Sequence, residues 1–293
     1  MAKIIVFGGV GWDRPITLDR PLTVGGRLTG TTLDGELGGR LGGGGANIAA
    51  ALAAIDHSVW LVSRVGTDEP GIKVIHACRE RNIDTSFIIY DERKTQSALI
   101  LIEPNGERVV LGLDPLPHRK STLRVDWQTF AVIAPDLVIF RAPVEIDGMP
   151  DKHRPIIIAH MPWPNDVAIN ADFVVGSRDD LGEEAWVDPL LAFANRQPSG
   201  PQWSIVTKGA CGINASNRER KISVPAHIGQ PIDCTGAGDI FIAGLGDALI
   251  AGARIEAAIS HAAAWGALAV GFNGSAPQPG EIALKPFAAK NIR

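Results

Sequence analysis

Apolar residues in this chain gather in short, β-branched runs separated by helical or glycine-rich stretches. Ile4–Phe7, Val59–Val65, Leu137–Phe140, Ile156–His160, Phe173–Gly176 and Ser204–Thr207 read as buried strands, because such short continuous runs suit strands covered on both faces. Helical patterns fall between or after them at Ile48–Ile55, Ile72–Arg81, Val125–Ile133, Glu183–Asn195, 239–251 and 255–270. The second of these carries Cys78 on its core face. This alternation predicts an α/β fold: a doubly wound, mostly parallel sheet with helices on both faces.

Two stretches break the rhythm. From Ile16 to Leu41 the pattern is strand-like, and ten glycines lie between positions 25 and 45, which favours tight turns and close backbone approach over a packed core. Phe87–Tyr90 reads as a short strand, and Ser97–Ile102 and Arg108–Leu111 flank Glu103–Glu107, where Asn105-Gly106 is a hairpin signal. Residues 85–113 are therefore expected to form a small antiparallel excursion from the main sheet. Together with strands from 14–44 it would make a second, smaller sheet acting as a lid on a single domain spanning 1–293. A Pro-rich linker, Asp114–His118, follows, and Gly212–Ala226 reads as a further hairpin.

Composition narrows the function. The 293 residues are 20% charged and 45% hydrophobic with a net charge of -4, which gives no electrostatic bias towards nucleic acid or anionic membrane. Cys78, Cys211 and Cys234 are widely spaced and form no C-x-x-C pair, so neither a disulfide framework nor a zinc site is indicated, and a cytoplasmic setting is expected. The apolar start, Ile4–Phe7, is too short for a signal peptide, and no apolar window approaches the roughly 18 residues of a membrane span.

The densest chemistry lies in Asp233-Cys234-Thr235-Gly236-Ala237-Gly238-Asp239, directly before a small-residue helix. Two glycines let several N–H groups converge, and the helix dipole points the same way, so the turn can hold an anion. A carboxylate at such a place makes sense if Asp239 takes a proton from a hydroxyl that attacks a phosphoryl group. Taken alone, the heptad could equally be a turn with a first-turn charge. Gly44-Gly45-Ala46-Asn47 at another helix start offers an amide that donates and accepts, as polyol hydroxyls require, or a simple cap. Gly8-Gly9-Val10-Gly11 lacks the third glycine of a dinucleotide fingerprint, and Pro15 interrupts the helix that should follow. No G-x-x-x-x-G-K-[ST] loop, G-x-S-x-G elbow or His/Cys metal set is present.

Gly44-Gly45-Ala46-Asn47-Ile48-Ala49, with Arg64-Val65-Gly66-Thr67-Asp68 downstream, and the heptad Asp233–Asp239 resemble the two signatures of the ribokinase-like (PfkB-type) carbohydrate kinases, over nearly the whole chain. The resemblance implies ATP and Mg²⁺ as cofactors and a β-lid over an acceptor alcohol. It makes Asp239 the base and the backbone of Gly236, Ala237 and Gly238 the anion hole, with Asp13, Gly43, Gly44 and Asn47 at the acceptor. Thr207, Gly209 and Gly212 resemble the family's turn beside the nucleotide, and His261 lies where helix residues line the adenine pocket, or else on a core or surface position. Asp233 and Thr235, with carbonyls around Phe272–Ala276, match a site for K⁺ or another monovalent cation. Relatives often pair their lids, so a homodimer through the lid is expected.

Departures from the pattern bear on substrate. The family's N-x-x-E segment, linked to Mg²⁺, is Ser177-Arg178-Asp179-Asp180 here, leaving Asp180 as the acid. A lysine common in ribokinase is Gly44, an asparagine is Gly11, and a substrate-binding glutamate is Arg141, which argues against ribose itself. Arg141 either faces the pocket, where its fork suits a carboxylate or phosphate, or faces solvent. A sugar or sugar-like acceptor is expected, since Ile16–Leu41 has no aromatic residue to stack a base and Trp12 is the only nearby candidate. The alternatives are a nucleoside kinase or a non-catalytic relative that binds ligands.

Overall fold

The computed structural model describes residues 1–32, 38–113, 123–150, 154–161, 171–181, 201–227 and 229–288. In chain order these form β1 (Lys3–Phe7), β2 (Gly11–Leu18), β3 (Gly30–Thr32), β4 (Arg40–Gly42), α1 (Gly44–Ala53), β5 (Ser58–Gly66) and α2 (Glu69–Glu80). β6 (Ile83–Asp84), β7 (Ile88–Asp91), β8 (Gln96–Ile102), β9 (Arg108–Leu113), β10 (Leu123–Asp126), α3 (Gln128–Ala131), β11 (Leu137–Phe140) and β12 (Val144–Asp147) follow. The remainder holds β13 (Ile156–His160), β14 (Phe173–Ser177), α4 (Arg178–Leu181), β15 (Trp203–Thr207), β16 (Ile213–Ser216), β17 (Lys221–Val224), α5 (Ala237–Ile250) and α6 (Ile255–Val270). The expected helix Glu183–Asn195 and the linker Asp114–His118 lie outside the described residues.

The main sheet runs β17-β16-β15-β14-β13-β11-β1-β5-β6, parallel from β6 to β15 and antiparallel at the terminal hairpin. β1 shows why its apolar run is unbroken. Ile4 and Val6 enter a core shared with α1, α2, α5 and α6, whereas Ile5 and Phe7 face the opposite side, where Phe7 meets Phe130 edge-on at 5.3 Å between ring centres. Alternate side chains leave opposite faces of a strand, so a strand buried on both sides has no polar position.

Among the described residues, a separate sheet of five strands, β3-β2-β8-β9 with β4 also on β2, forms the second, smaller sheet expected. It is mixed: β8 and β9 form the expected antiparallel hairpin, whereas β2 and β8 run parallel, with Asp13 opposite Ala98. β7, expected in this excursion, instead extends the main sheet by pairing with β5. The helix expected over Val125–Ile133 is corrected too. Leu123–Asp126 is a strand paired with β12, its burial alternating with period two, and only Gln128–Ala131 is helical before Ala134 takes a positive φ of 48°. Two inward positions, Leu123 and Val125, decide that stretch as a strand. No helix among the described residues is long and apolar enough to cross a membrane.

Candidate active site

Strand order reverses between β1 and β11: the chain goes from β1 to β5 on one side and returns with β11 on the other. In open parallel sheets such a switch leaves a crevice at the carboxyl ends of the strands. Gly8 and Arg141, the residues just after these two strands, stand there. The N–H of Arg141 donates to the Phe7 carbonyl at 2.7 Å, and a Cβ on Gly8 would meet the Gly45 Cα at 2.7 Å and the Arg141 Cβ at 2.9 Å. Glycine at 8 and 45 thus lets α1 start directly over the crevice. Gly43 caps α1 with φ 91°, a conformation costly for any other residue.

α5 points its N-terminus at the same place. Gly236 is left-handed (φ 77°), and its carbonyl accepts the first intrahelical bond, from Ile240 N–H at 2.9 Å. The N–H groups of the first turn therefore have no carbonyl within the helix: that of Ala237 makes a long bond to the Cys234 carbonyl at 3.4 Å, and those of Gly238 and Asp239 are left to the crevice. A side chain on Gly236 would meet Ser275 Cβ at 2.8 Å and Asn47 Nδ2 at 3.0 Å, whereas nothing among the described residues lies within 4 Å of a Cβ on Gly238. One glycine makes the turn close-packed and the other leaves its outer side open.

Asp239 sits in that first turn, buried, between two elements distant in sequence. Asn47 Nδ2 donates to its Oδ2 at 2.8 Å, and Arg141 Nε donates to its Oδ1 at 2.7 Å. Burial pushes the Asp239 pKa up, but the charge of Arg141, the neighbouring His160 and the two hydrogen bonds outweigh it and hold the carboxyl below its ordinary range. Arg141 therefore faces the site rather than solvent, and Gly44 lets it: a Cβ there would lie 2.5 Å from Arg141 Nε. His160 was not among the expected site residues. It ends β13, buried, with Nδ1 unpartnered among the described residues, and burial together with Arg141 presses its pKa down to about 3, so it is neutral. Its place at the C-terminal end of a predicted parallel strand next to the switch point is the signal that marks it.

On the lid side, Asp13 lies opposite Arg40 in the β2–β4 pair and packs its carboxylate against Gly42. Burial raises the Asp13 pKa to about 6, with Arg40 opposing and Asp233 adding to the rise. Trp12, the adjacent residue on the strand, must face the other way, and there it packs against the main core with the Lys73 ammonium 5.9 Å from its ring centre. Asp233 is fully buried, with Oδ1 accepting the Thr235 N–H at 2.8 Å and Oδ2 the Arg40 Nη2 at 2.7 Å.

Thr207 ends β15, and its turn holds Gly209 at φ 53° with nothing among the described residues within 4 Å of a Cβ, and Gly212 at φ 86° against the Val224 carbonyl. These residues stand at the same sheet edge as Ser177 and the exposed Asp180 of α4. The contacts of His261 are internal. Its Nε2 lies 3.1 Å from Asp247 Oδ2, and its ring packs on Trp265 and Phe287. That is a helix-packing cluster, which also takes in His57, 3.0 Å from Asp247 Oδ1.

The family model for pfkB family carbohydrate kinases matches residues 26–134 and 166–279. Ribokinase from Bacillus subtilis (strain 168) is 24% identical over 295 residues, covering 96% of this chain and 98% of that protein. An ATP-dependent ribose-1-phosphate kinase from Halopiger xanaduensis is 24% identical over 319 residues, covering 100% of both. Among solved structures, ribokinase from Giardia lamblia superposes with a TM-score of 0.75 at 17% identity, covering 96% of this chain and 98% of that one. Arabidopsis thaliana ribokinase complexed with ribose and ATP gives a TM-score of 0.71 at 21% identity, covering 95% and 96%.

Proposed function

The chain belongs to the pfkB family of carbohydrate kinases, which makes it an ATP-dependent phosphotransferase, and we propose that Asp239 is its base and the acceptor a sugar or sugar-like alcohol. The observation that carries this reading is the ionised, buried Asp239 in the first turn of α5, beside N–H groups that the helix leaves unused. Those N–H groups and the helix dipole offer positive potential where negative charge accumulates on the transferring phosphoryl group. Asp239 is too weakly basic to strip an alcohol in advance. It orients the hydroxyl and accepts its proton late, as a loose phosphoryl-transfer transition state requires. Asn47 keeps the carboxylate aimed, and Asp13 accepts from further acceptor hydroxyls.

Thr207, Gly209 and Gly212 form the nucleotide side of this reading. Asp180, an exposed carboxylate of α4 beside the Thr207 turn, is the residue that would help hold Mg²⁺, which bound with the triphosphate would neutralise charge on the transferring phosphoryl group. Trp12 supports a sugar over a nucleoside: with Asp13 turned to the crevice, strand alternation puts the indole on the opposite face, away from any base bound there.

The test is ADP release with Mg·ATP across pentoses, hexoses, sugar acids, sugar phosphates and nucleosides. Asp239→Asn is expected to lower kcat by about 10²–10⁴ while still binding nucleotide; near-normal turnover would remove Asp239 from the base role.

A further inference from the structure

The resemblance to ribokinase-like kinases implies a monovalent cation held by Asp233, Thr235 and carbonyls of the 272–276 segment, and the residues present do not fit one. Both Asp233 oxygens are engaged, Oδ2 by Arg40 Nη2 at 2.7 Å and Oδ1 by Thr235 N–H at 2.8 Å. The Ala276 carbonyl is engaged as well, by Arg81 Nε at 2.8 Å, and Arg81 is held in turn by its Nη1 bond to the Ala77 carbonyl at 3.0 Å. Asp233 Oδ2 and the Ala276 carbonyl, two of the oxygens that the resemblance would give a cation, thus each already carry an arginine N–H.

What remains beside them repels a cation. Arg40 Nε and Nη1 are buried with no partner among the described residues, and both are donors. Like charges held this close together in a buried site repel strongly. The buried side-chain oxygens there without a partner among the described residues, Thr235 Oγ1 and Ser275 Oγ, are neutral hydroxyls with no net charge to offset that.

We infer that Arg40 and Arg81 stand in for the monovalent cation, so that this kinase works without one. The inference rests on reading residues 233–239 as the turn that holds the transferring phosphoryl group. Arg40 neutralises Asp233, which would otherwise be a buried, uncompensated negative charge beside a turn that must accept an anion. Arg81 pins Ala276, whose neighbour Ser275 closes against Gly236. Arg40 and Arg81 are thus positioning residues, one on each side of the turn. Because Arg40 belongs to β4, the charge arrives on the lid and not from solvent.

Thermal melting of the ligand-free protein in K⁺, Na⁺, Cs⁺ or choline at equal ionic strength tests this without any turnover. The wild-type Tm is expected to agree within about 1 °C across the series, since an ion that does not bind the native state cannot stabilise it. Arg40→Ala should melt lower, and K⁺ should raise its Tm and restore its turnover saturably; Arg40→Lys should keep much of the wild-type Tm and its indifference to K⁺. A saturable rise of wild-type Tm or turnover in K⁺ but not choline would overturn the inference, as would an Arg40→Ala protein that is destabilised yet indifferent to K⁺. If Arg40→Ala does not fold, the wild-type series still decides. A flat melting series with no turnover on any acceptor would instead sink the catalytic reading and leave the arginine substitution standing.

Discussion

Arg141 Nε donates to Asp239 Oδ1 at 2.7 Å, which places a guanidinium directly on the carboxylate proposed to receive the acceptor's proton. The arginine keeps Asp239 ionised and aimed, and it also makes Asp239 a weaker base. Its side chain is 33% exposed against 8% for Asp239, so the pair has a solvent-facing end towards which an acceptor can approach.

Arg141→Ala should therefore raise the pKa of Asp239, because the largest opposing influence on a buried carboxylate has been removed. The acidic limb attributable to Asp239 in the pH profile of kcat should move to higher pH. A limb that stays where it is would show that the arginine does not govern the base.

Asp13 should give the acceptor its own pH dependence. With a pKa of about 6, it loses its charge as pH falls below that value and becomes a weaker acceptor for the acceptor's hydroxyls. The acceptor KM is expected to rise below pH 6 while nucleotide binding stays flat, and Asp13→Asn should abolish this dependence.

Gly44 and Arg141 should behave as one unit. A methyl at 44 would lie 2.5 Å from Arg141 Nε and 2.9 Å from its Cγ, so Gly44→Ala must push the guanidinium off Asp239. In a double-mutant cycle with Arg141→Ala, kcat/KM is expected to show a coupling of about 1 kcal/mol or more; additive losses would separate the two residues.

Asp247 should control acid stability. Burial raises its pKa, but bonds from His261, His57 and the Phe287 N–H outweigh that and bring it to about 2. A carboxyl depressed from an unfolded value of about 3.9 contributes about 2 kcal/mol above that pH and loses it as pH falls towards 2. His160, held neutral from its ordinary 6.5 down to about 3, destabilises in the same direction as pH drops. Asp247→Asn should lower Tm at pH 7 by about 5 °C and flatten its dependence between roughly pH 4 and 2, as ΔΔG of this size implies. Asp247 lies about 12 Å along α5 from Asp239, so kcat is expected to hold.

The lid edge should pair. β9 is an outer strand with Val109, Val110 and Leu111 all exposed, and such an edge invites a second strand. Light scattering at micromolar concentration is expected to give a dimer mass that Val109→Lys with Leu111→Lys reduces to the monomer; a wild-type monomer would count against lid pairing.

Much of this protein is written in local pattern. The Ile4–Phe7 run announces a strand buried on both sides because every residue must tolerate apolar surroundings. Gly236-Ala237-Gly238 announces a tight turn into a helix because only glycine takes φ 77° at its start without strain. These are properties of neighbours along the chain, and neighbours can be read. Leu123–Asp126 escaped because four residues suit either period until a partner strand, β12, picks one. The pairs that decide the chemistry escaped for a larger version of that reason. Arg141 and Asp239 are 98 residues apart, Arg40 and Asp233 are 193 apart, and His160 joins the first pair only because β13 lies beside β11 at the switch point. Whether Arg141 meets a carboxylate or water depends on strand order and on the glycines that let α1 close over the crevice. Side-chain direction at a strand end is set by packing across the sheet, and packing exists only once the chain has folded.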